Sequence, residues 1–234
     1  MKKHLLLLAF ATLLALPVSS QDTSPCGEIS VLKFDRTLKN ALFRSTSARV
    51  GNTNTAGVTG TPYANSTFSS SKINNLEQLY VANYDAFNDV IEIKTGSSKS
   101  FYLDKKVGNR VTFKGSNKVY QVFNDEDNKA SFFKVLKITD KFSLLEKQEV
   151  KIAGGEKPRN GYGSYEAPYF KKGKVKYYIS LDNNSALKVP LSKRKFSKLF
   201  ASNSSTISDY LKSNKSNIKQ RKDILKALEY YASL

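Results

Sequence analysis

The strongest constraint on the fold is a series of short segments between residues 90 and 123 in which apolar and polar residues alternate. The alternation is clearest at residues 90–94, 100–103, 110–114 and 119–123. Because successive side chains on a strand point to opposite faces, a period of two predicts half-buried antiparallel strands. Gly, Ser and Asn residues between these segments are typical of turns. The series therefore predicts a β-meander.

The same pattern extends beyond this series, and the apolar period becomes helical near the C-terminus. Further strands are predicted at residues 76–84, 132–138, 142–152, 174–181 and 187–189. Three helices are predicted. The first spans residues 192–200 with Ser192 as its N-cap, the second begins at the capping-box-like Thr206-Ile-Ser-Asp209, and the third spans residues 219–233. Strands followed by helices indicate an α+β fold. We predict a curled antiparallel β-sheet of about seven to nine strands, in meanders and hairpins at 76–190, followed by about three short helices at 192–233.

The clearest hairpin lies at residues 174–189. Its first strand alternates strictly, and residues 182–185 form its turn, since Asn and Asp tolerate left-handed backbone angles. The side chains predicted to face the core are Val175, Tyr177, Ile179 and Leu181. Those predicted to face solvent are Lys176, Tyr178 and Ser180.

The first 20 residues have the features of an export signal. Two lysines precede an apolar run at residues 5–16 that is too short to span a bilayer, and small residues lead to a predicted cleavage after Ser20. Residues 21–59 are rich in Ser, Thr, Asn and Gly, so we predict that they are flexible or loosely packed. A single α+β domain is predicted at residues 60–234.

The composition excludes several kinds of catalytic and metal site. The only histidine, His4, leaves with the predicted signal, and Cys26 is the only cysteine. Zinc sites, Ser-His-Asp triads and Cys-His dyads therefore cannot form within one mature chain. The acidic turn at residues 124–128 lacks the central Gly and distal Glu of a calcium loop. We predict no catalytic residue, no cofactor and no metal site.

Several short segments follow one another in a recognisable order from residue 60 to the C-terminus. They are Gly60-Thr-Pro-Tyr63, Phe87-Asn-Asp-Val-Ile-Glu-Ile93, Phe142-Ser-Leu-Leu-Glu-Lys147, Tyr177-Tyr178, the lysine-rich segment 192–200, and Ile224-Leu-Lys-Ala-Leu-Glu-Tyr-Tyr231. In this order they resemble an uncharacterised family of exported proteins common in Bacteroidota. The family brings no activity, ligand or catalytic residue. The resemblance implies a bacterial protein associated with the cell envelope.

Tyrosines and lysines are interleaved between residues 162 and 178. Aromatic faces beside ammonium groups suit sugar rings, acidic glycans or stacked bases. In the alternative interpretation, the tyrosines pack a strand edge and the lysines prevent that edge from pairing with other chains. The candidate ligand-binding residues are Tyr165, Tyr169, Lys174, Lys176, Tyr178, Lys193 and Arg194.

The chain is strongly basic, with a formal net charge of +18, of which the two signal lysines contribute +2. Residues 171–234 carry 15 Lys or Arg against 4 Asp or Glu. Such a balance favours attraction to anionic polymers or surfaces. We expect a non-catalytic structural or binding protein of the periplasm or outer-membrane periphery, or an extracellular one. The alternative is binding of anionic glycan, lipopolysaccharide or a membrane surface through the basic helices.

Two further classes are disfavoured. Export and the lack of a recognition motif argue against a specific nucleic-acid partner. A hydrolase that works without histidine needs two carboxylates or a Ser-Lys pair, and Ser192 and Lys195 have the Ser-x-x-Lys spacing. A helix start with solvated lysines explains that spacing better, so we expect no enzymatic activity. The sequence indicates no oligomeric state.

Overall fold

The computed structural model of the chain describes residues 42–45, 55–94, 100–156 and 164–234. Every described residue belongs to one compact unit, Lys33–Leu234. The predicted export signal lies outside the described residues.

Thirteen strands are present in the described part of the chain, and eleven of them form one antiparallel sheet. They are β1 Phe43–Ser45, β2 Ser69–Ile73, β3 Leu79–Asp85, β4 Val90–Lys94, β5 Ser100–Leu103, β6 Arg110–Phe113, β7 Val119–Asn124, β8 Ala130–Ile138, β9 Ser143–Lys147, β10 Val150–Ala153, β11 Tyr169–Lys172, β12 Lys176–Ser180 and β13 Leu187–Lys188. The large sheet has the order β1-β5-β4-β3-β2-β6-β7-β8-β9-β12-β13, and β10 pairs with β11 separately.

The alternating segments form strands, as the period of two predicts, but they do not form one continuous meander. β5 pairs with β4 and β1, whereas β6 pairs with β2 and β7. In β5 and β6 every second residue is buried, which places Phe101 and Leu103 on one face and buries Val111 and Phe113 together. In β7 the alternation ends, because Val122 and Phe123 are both fully buried on opposite faces. The middle of the sheet is therefore covered on both sides.

The predicted strand number was too low. β2 was missed because its sequence, Ser-Ser-Ser-Lys-Ile, has little apolar alternation. It is held between β3 and β6, and the Ser71 hydroxyl donates to the Tyr80 carbonyl at 2.9 Å. The single strand predicted at residues 142–152 is two strands, β9 and β10, which belong to different sheets. The α+β class itself is confirmed.

The C-terminal part has two helices of ten residues or more, α2 at Ser204–Ser213 and α3 at Arg221–Ser233, rather than three. The helix predicted at 192–200 is a five-residue helix, α1 at Lys193–Ser197, that continues as a 3-10 helix at Lys198–Asn203. Ser192 occupies the N-cap position of α1, as predicted, but the cap predicted at Thr206 is wrong. The Ser192 side chain makes no capping hydrogen bond, and Thr206 lies inside α2 rather than before it.

The helices pack on one face of the sheet and form the helix–sheet core. Fully buried members from both layers are Leu144, Ile179, Phe196, Ile207, Leu211, Ile224 and Leu228. Aromatic rings link the helices, with centroids 5.2 Å apart for Phe196 and Phe200 and 4.9 Å apart for Phe200 and Tyr231. This burial of apolar stripes holds the short helices in place.

The orientation predicted for the 174–189 hairpin is partly wrong. Tyr178 faces away from the helices, as alternation requires, but it is only 8% exposed because its ring packs 4.9 Å from that of Phe133. Ser180 is also buried. Val175, predicted to face the core, is 42% exposed because the strand begins only at Lys176. Alternation distinguishes the two faces but does not say which of them is covered.

The segment predicted as flexible or loosely packed at residues 21–59 contributes a strand to the sheet. β1 pairs with β5 in antiparallel register, with Phe43 opposite Leu103, and the Phe43 side chain is buried. Most of the remaining segment lies outside the described residues. In the described part of the chain, no helix is both long enough and apolar enough to cross a bilayer.

The turn between β12 and β13 depends on the carboxylate of Asp182. One oxygen of this carboxylate accepts hydrogen bonds from the N–H groups of Asn184 at 2.9 Å and Ser185 at 2.8 Å, and from the Ser180 hydroxyl at 3.0 Å. Partial burial raises the pKa of Asp182, but the hydrogen bonds outweigh this effect and lower the pKa from 3.8 to about 2.

We expect Asp182→Ala to lower the free energy of unfolding by about 1 kcal/mol at neutral pH, a modest value because the carboxylate is exposed. The folded-state pKa is lower than the unfolded one, so this stabilisation is present above pH 3.8 and is lost as the pH falls towards about 2. Urea unfolding of both proteins across this range measures it. Asp182→Asn keeps an acceptor oxygen without the charge and is the control. Parallel pH profiles for wild type and Asp182→Ala would contradict the prediction.

Candidate functional site

The predicted ligand-binding residues do not form one surface. Tyr165 is 59% exposed on the chain that leads to β11, and Tyr169 is partly buried within β11, opposite Ala153. Tyr178 is in the core. It packs on the sheet face opposite the helices, so it cannot stack on a ligand as predicted.

The predicted basic residues have more varied surroundings. The Lys176 ammonium forms an ion pair with Glu149 at 2.9 Å, and its hydrogen bond to Glu149 is the main cause that lowers the pKa of that carboxyl. The Lys193 ammonium donates to the Leu211 carbonyl at 3.3 Å, and both Lys193 and Arg194 are exposed at the start of α1. Lys174 is exposed just before β12.

Lys174 and Lys176 meet in a surface groove, which we name the β12–β13 groove. It has a volume of about 740 Å³ and lies between the hairpin and the chain that connects α2 to α3. Its lining residues are Glu126, Lys174, Val175, Lys176, Tyr177, Lys188, Val189, Pro190, Leu191, Ile218 and Lys219. Lys193 and Arg194 are not among them. The structure thus brings together two of the seven predicted residues.

Apolar side chains in the groove reach solvent. Leu191 is 76% exposed and Val175 is 42% exposed, although both are large and apolar. Pro190 and Leu191 follow the end of β13, where the N–H of Val189 donates to the Tyr177 carbonyl at 2.9 Å. This bond fixes the chain at the edge of the sheet. Proline cannot extend the ladder, so the chain turns away there and leaves Leu191 outside the core.

Lysines surround this apolar surface. Four ammonium groups line the groove, against one carboxylate, Glu126. They belong to Lys174, Lys176, Lys188 and Lys219. Lys176 is partly neutralised by Glu149, but the remaining charge is positive. An apolar floor with a cationic rim is suited to a molecule that has both an apolar part and an anionic part.

Sequence reasoning missed Lys188, Lys219, Val175 and Leu191 as members of this site. Lys219 is 31 residues from Lys188 along the chain, and only the packing of the helices on the hairpin places them in one groove. The exposure of Leu191 could have been predicted from the sequence. An apolar residue directly after the proline that ends a strand lies outside the strand, so it is not part of the strand's core-facing side.

The described residues contain no group of three or more His, Cys, Asp or Glu side chains arranged to hold a metal ion. The acidic segment after β7 is a turn, in which Asp125 accepts hydrogen bonds from the N–H groups of Asp127 at 3.0 Å and Lys129 at 2.9 Å. These bonds use the Asp125 carboxylate to shape the turn.

Comparison of the chain with protein-family models, with curated proteins and with solved structures found no match.

Proposed function

We propose that this chain is an exported, non-catalytic protein of the bacterial cell envelope that docks on anionic lipid surfaces through the β12–β13 groove. The observation that carries the proposal is the exposure of Leu191 and Val175 beside four lysines. Export itself rests on the pattern of the first 20 residues, and the envelope location on the family resemblance. The docking surface rests on the groove.

Charge supports a lipid surface as the partner. Each lysine close to an anionic bilayer contributes about 1 kcal/mol of attraction, and this attraction falls within a Debye length. The lysines of the groove are reinforced by the basic helices, since residues 171–234 carry 15 Lys or Arg against 4 Asp or Glu. Lysines alone would bind any polyanion in a salt-dependent way.

The exposed apolar side chains distinguish a bilayer from a soluble polyanion. Full burial of a leucine side chain contributes about 1.5–3 kcal/mol, and Leu191 loses most of this energy while it is exposed to water. Insertion of Leu191 and Val175 between lipid headgroups recovers part of it. A hydrophilic polymer offers no apolar phase, so it cannot use these side chains.

The test is co-sedimentation of the protein with three probes at two salt concentrations. The probes are vesicles of phosphatidylcholine, vesicles with added phosphatidylglycerol, and dextran sulfate. We expect binding to the anionic vesicles that persists in part at high salt. Leu191→Ala should weaken this binding about tenfold, and Lys188→Gln about fivefold.

Two controls make the result specific. Lys114→Gln removes an exposed lysine in the turn after β6, outside the groove, and should bind like the wild type. Unfolding curves should show that Leu191→Ala remains folded, since the side chain is exposed. Equal binding to vesicles and dextran sulfate, abolished by salt and unchanged in Leu191→Ala, would show that the attraction is generic charge and would reject the proposal.

A further inference from the structure

A second recess, separate from the β12–β13 groove, lies where four strands of the large sheet and the small β10–β11 sheet meet. We name it the lysine cavity. Its volume is about 90 Å³, compared with the roughly 10–15 Å³ that one water molecule needs. Its lining residues are Ala64, Tyr84, Ala86, Lys118, Tyr120, Phe132, Lys134, Glu146, Lys147, Gln148, Val150 and Lys172.

The register of the sheet explains why polar groups meet here. Tyr120 of β7 lies opposite Lys134 of β8, and Lys134 lies opposite Glu146 of β9. Directly opposed residues share one face of a sheet, so these three side chains form a polar row across three strands. The row lies in a part of the sheet where most neighbouring side chains are apolar, such as the fully buried Phe132.

The cavity is positively charged. Four of its lining residues are lysines and one is a glutamate. The Lys134 ammonium is paired with Glu146 at 2.9 Å, and the Lys147 ammonium lies 3.4 Å from Asp89.

The other two lysines have no ion pair among the described residues. The Lys118 ammonium donates to the side-chain oxygen of Asn65 at 2.7 Å, and that of Lys172 to the Ala64 carbonyl at 3.4 Å. Both acceptors are neutral. An ammonium group has three donors, so each of these lysines retains hydrogen-bonding capacity for a further acceptor.

The Tyr120 hydroxyl is a further hydrogen-bond donor at the cavity. Tyr120 is only 6% exposed, and its hydroxyl has no hydrogen-bond partner among the described residues. Every fully enclosed side-chain polar atom of the described residues has a partner, so this hydroxyl is not fully enclosed, and Tyr120 lines the cavity. Burial, and then the charge of Glu146, raise the pKa of Tyr120 to about 12, so the hydroxyl is a donor at neutral pH.

The hydroxyl of the neighbouring Tyr84, by contrast, has a hydrogen-bond partner within the protein. Its hydroxyl donates to the Asp89 carboxylate at 2.8 Å. The rings of Tyr84 and Tyr120 pack with centroids 4.6 Å apart, so the two tyrosines are neighbours whose hydroxyls differ in partner. Because the Tyr120 hydroxyl is not fully enclosed, its acceptor is whatever fills the cavity, either water or a ligand.

We infer that the lysine cavity is a binding site for a small oxyanion of the phosphate or sulfate type, free or as a terminal group of a larger molecule. Such an anion accepts hydrogen bonds from the Tyr120 hydroxyl and from the ammonium groups of Lys118 and Lys172. It also balances the excess positive charge of the lining. Charge-assisted hydrogen bonds of this kind are short and strong, and Lys is a common phosphate ligand. The site is separate from the groove and does not depend on the proposed docking to lipid.

The test is calorimetric titration of the full chain with inorganic phosphate and with sulfate, with chloride at matched ionic strength as reference. We expect saturable binding of one anion per chain and a rise in melting temperature that chloride does not reproduce. Tyr120→Phe removes a single oxygen atom from a ring that stays packed, and should weaken the affinity about tenfold. Lys118→Gln should weaken it by a similar factor.

Matched controls separate this site from general basicity and from the groove. Lys222→Gln removes an exposed lysine on α3, and Leu191→Ala alters the groove, so both should bind phosphate like the wild type. Phosphate esters such as glycerol phosphate distinguish a free anion from a terminal group. Absence of saturable binding, which would mean that the cavity holds water alone, overturns the inference. Equal affinity in wild type and Tyr120→Phe also overturns it.

Discussion

Leu228→Ala is expected to lower the free energy of unfolding by about 3 kcal/mol, within the roughly 2–5 kcal/mol range for buried leucines. Leu228 is on α3, is 0% exposed, and is part of the helix–sheet core. The substitution removes buried apolar atoms and leaves a cavity that the surrounding rings cannot fill without moving. Alanine is a better helix former than leucine, so the loss comes from packing rather than from the helix itself.

The measurement is urea unfolding of Leu228→Ala against the wild type. The matched control is Leu191→Ala, the same chemical change at a position that is 76% exposed, where we expect a change within about 0.5 kcal/mol. The two variants therefore separate stability from lipid binding, because the first should unfold early and the second should bind vesicles poorly. A loss below about 1 kcal/mol in Leu228→Ala would mean that α3 does not pack on the sheet as described.

Asp89→Ala is expected to have a similarly large effect and to lower the free energy of unfolding by about 3–5 kcal/mol. Its carboxylate accepts hydrogen bonds from the Tyr84 hydroxyl at 2.8 Å and the Phe132 N–H at 3.3 Å. It also pairs with Lys105 at 2.9 Å and with Lys147 at 3.4 Å. Removal of the carboxylate leaves a largely buried hydroxyl and two partly buried ammonium groups without an acceptor, which costs more than the bonds themselves contribute.

The backbone at this position adds to the loss. Asp89 has a φ of 55°, in the left-handed region that Asn and Asp tolerate better than Ala. Asp89→Asn keeps this tolerance and an acceptor oxygen but removes the charge, so we expect it to cost clearly less than Asp89→Ala. Thermal and urea unfolding of both variants measure the difference. If the two variants were equally unstable, the charge rather than the hydrogen bonds and backbone would account for the whole effect.

The alternating strands show which parts of the sheet can be predicted from the period of apolar residues. β4 and β5 begin and end at the residues that alternation predicts, and the turn at residues 182–185 forms as its Asp and Asn residues indicate. β2 shows its limit. Three serines carry no apolar pattern, and this segment becomes a strand only because two neighbours bind its backbone on both sides.

The candidate site was less predictable than the fold. Lys174 and Lys176 were identified from the interleaving of tyrosines and lysines, and both lie in the β12–β13 groove. Tyr178 was misplaced because the period of two separates the faces of a strand without indicating that the second face is covered by Phe133. The lysine cavity was not predicted at all, since its lining comes from segments between residues 64 and 172 that show no shared motif.

Local chemistry in the sequence therefore determined the α+β class, most strands between residues 90 and 124, and the basic C-terminal region. These properties depend on the period of side chains along a strand or helix and on counts of residues. The tertiary structure alone decided which strand faces are buried, where the helices end, and which lysines meet around an apolar floor or an unpartnered hydroxyl. Those outcomes depend on pairing and packing between residues far apart in the chain, which no local pattern encodes.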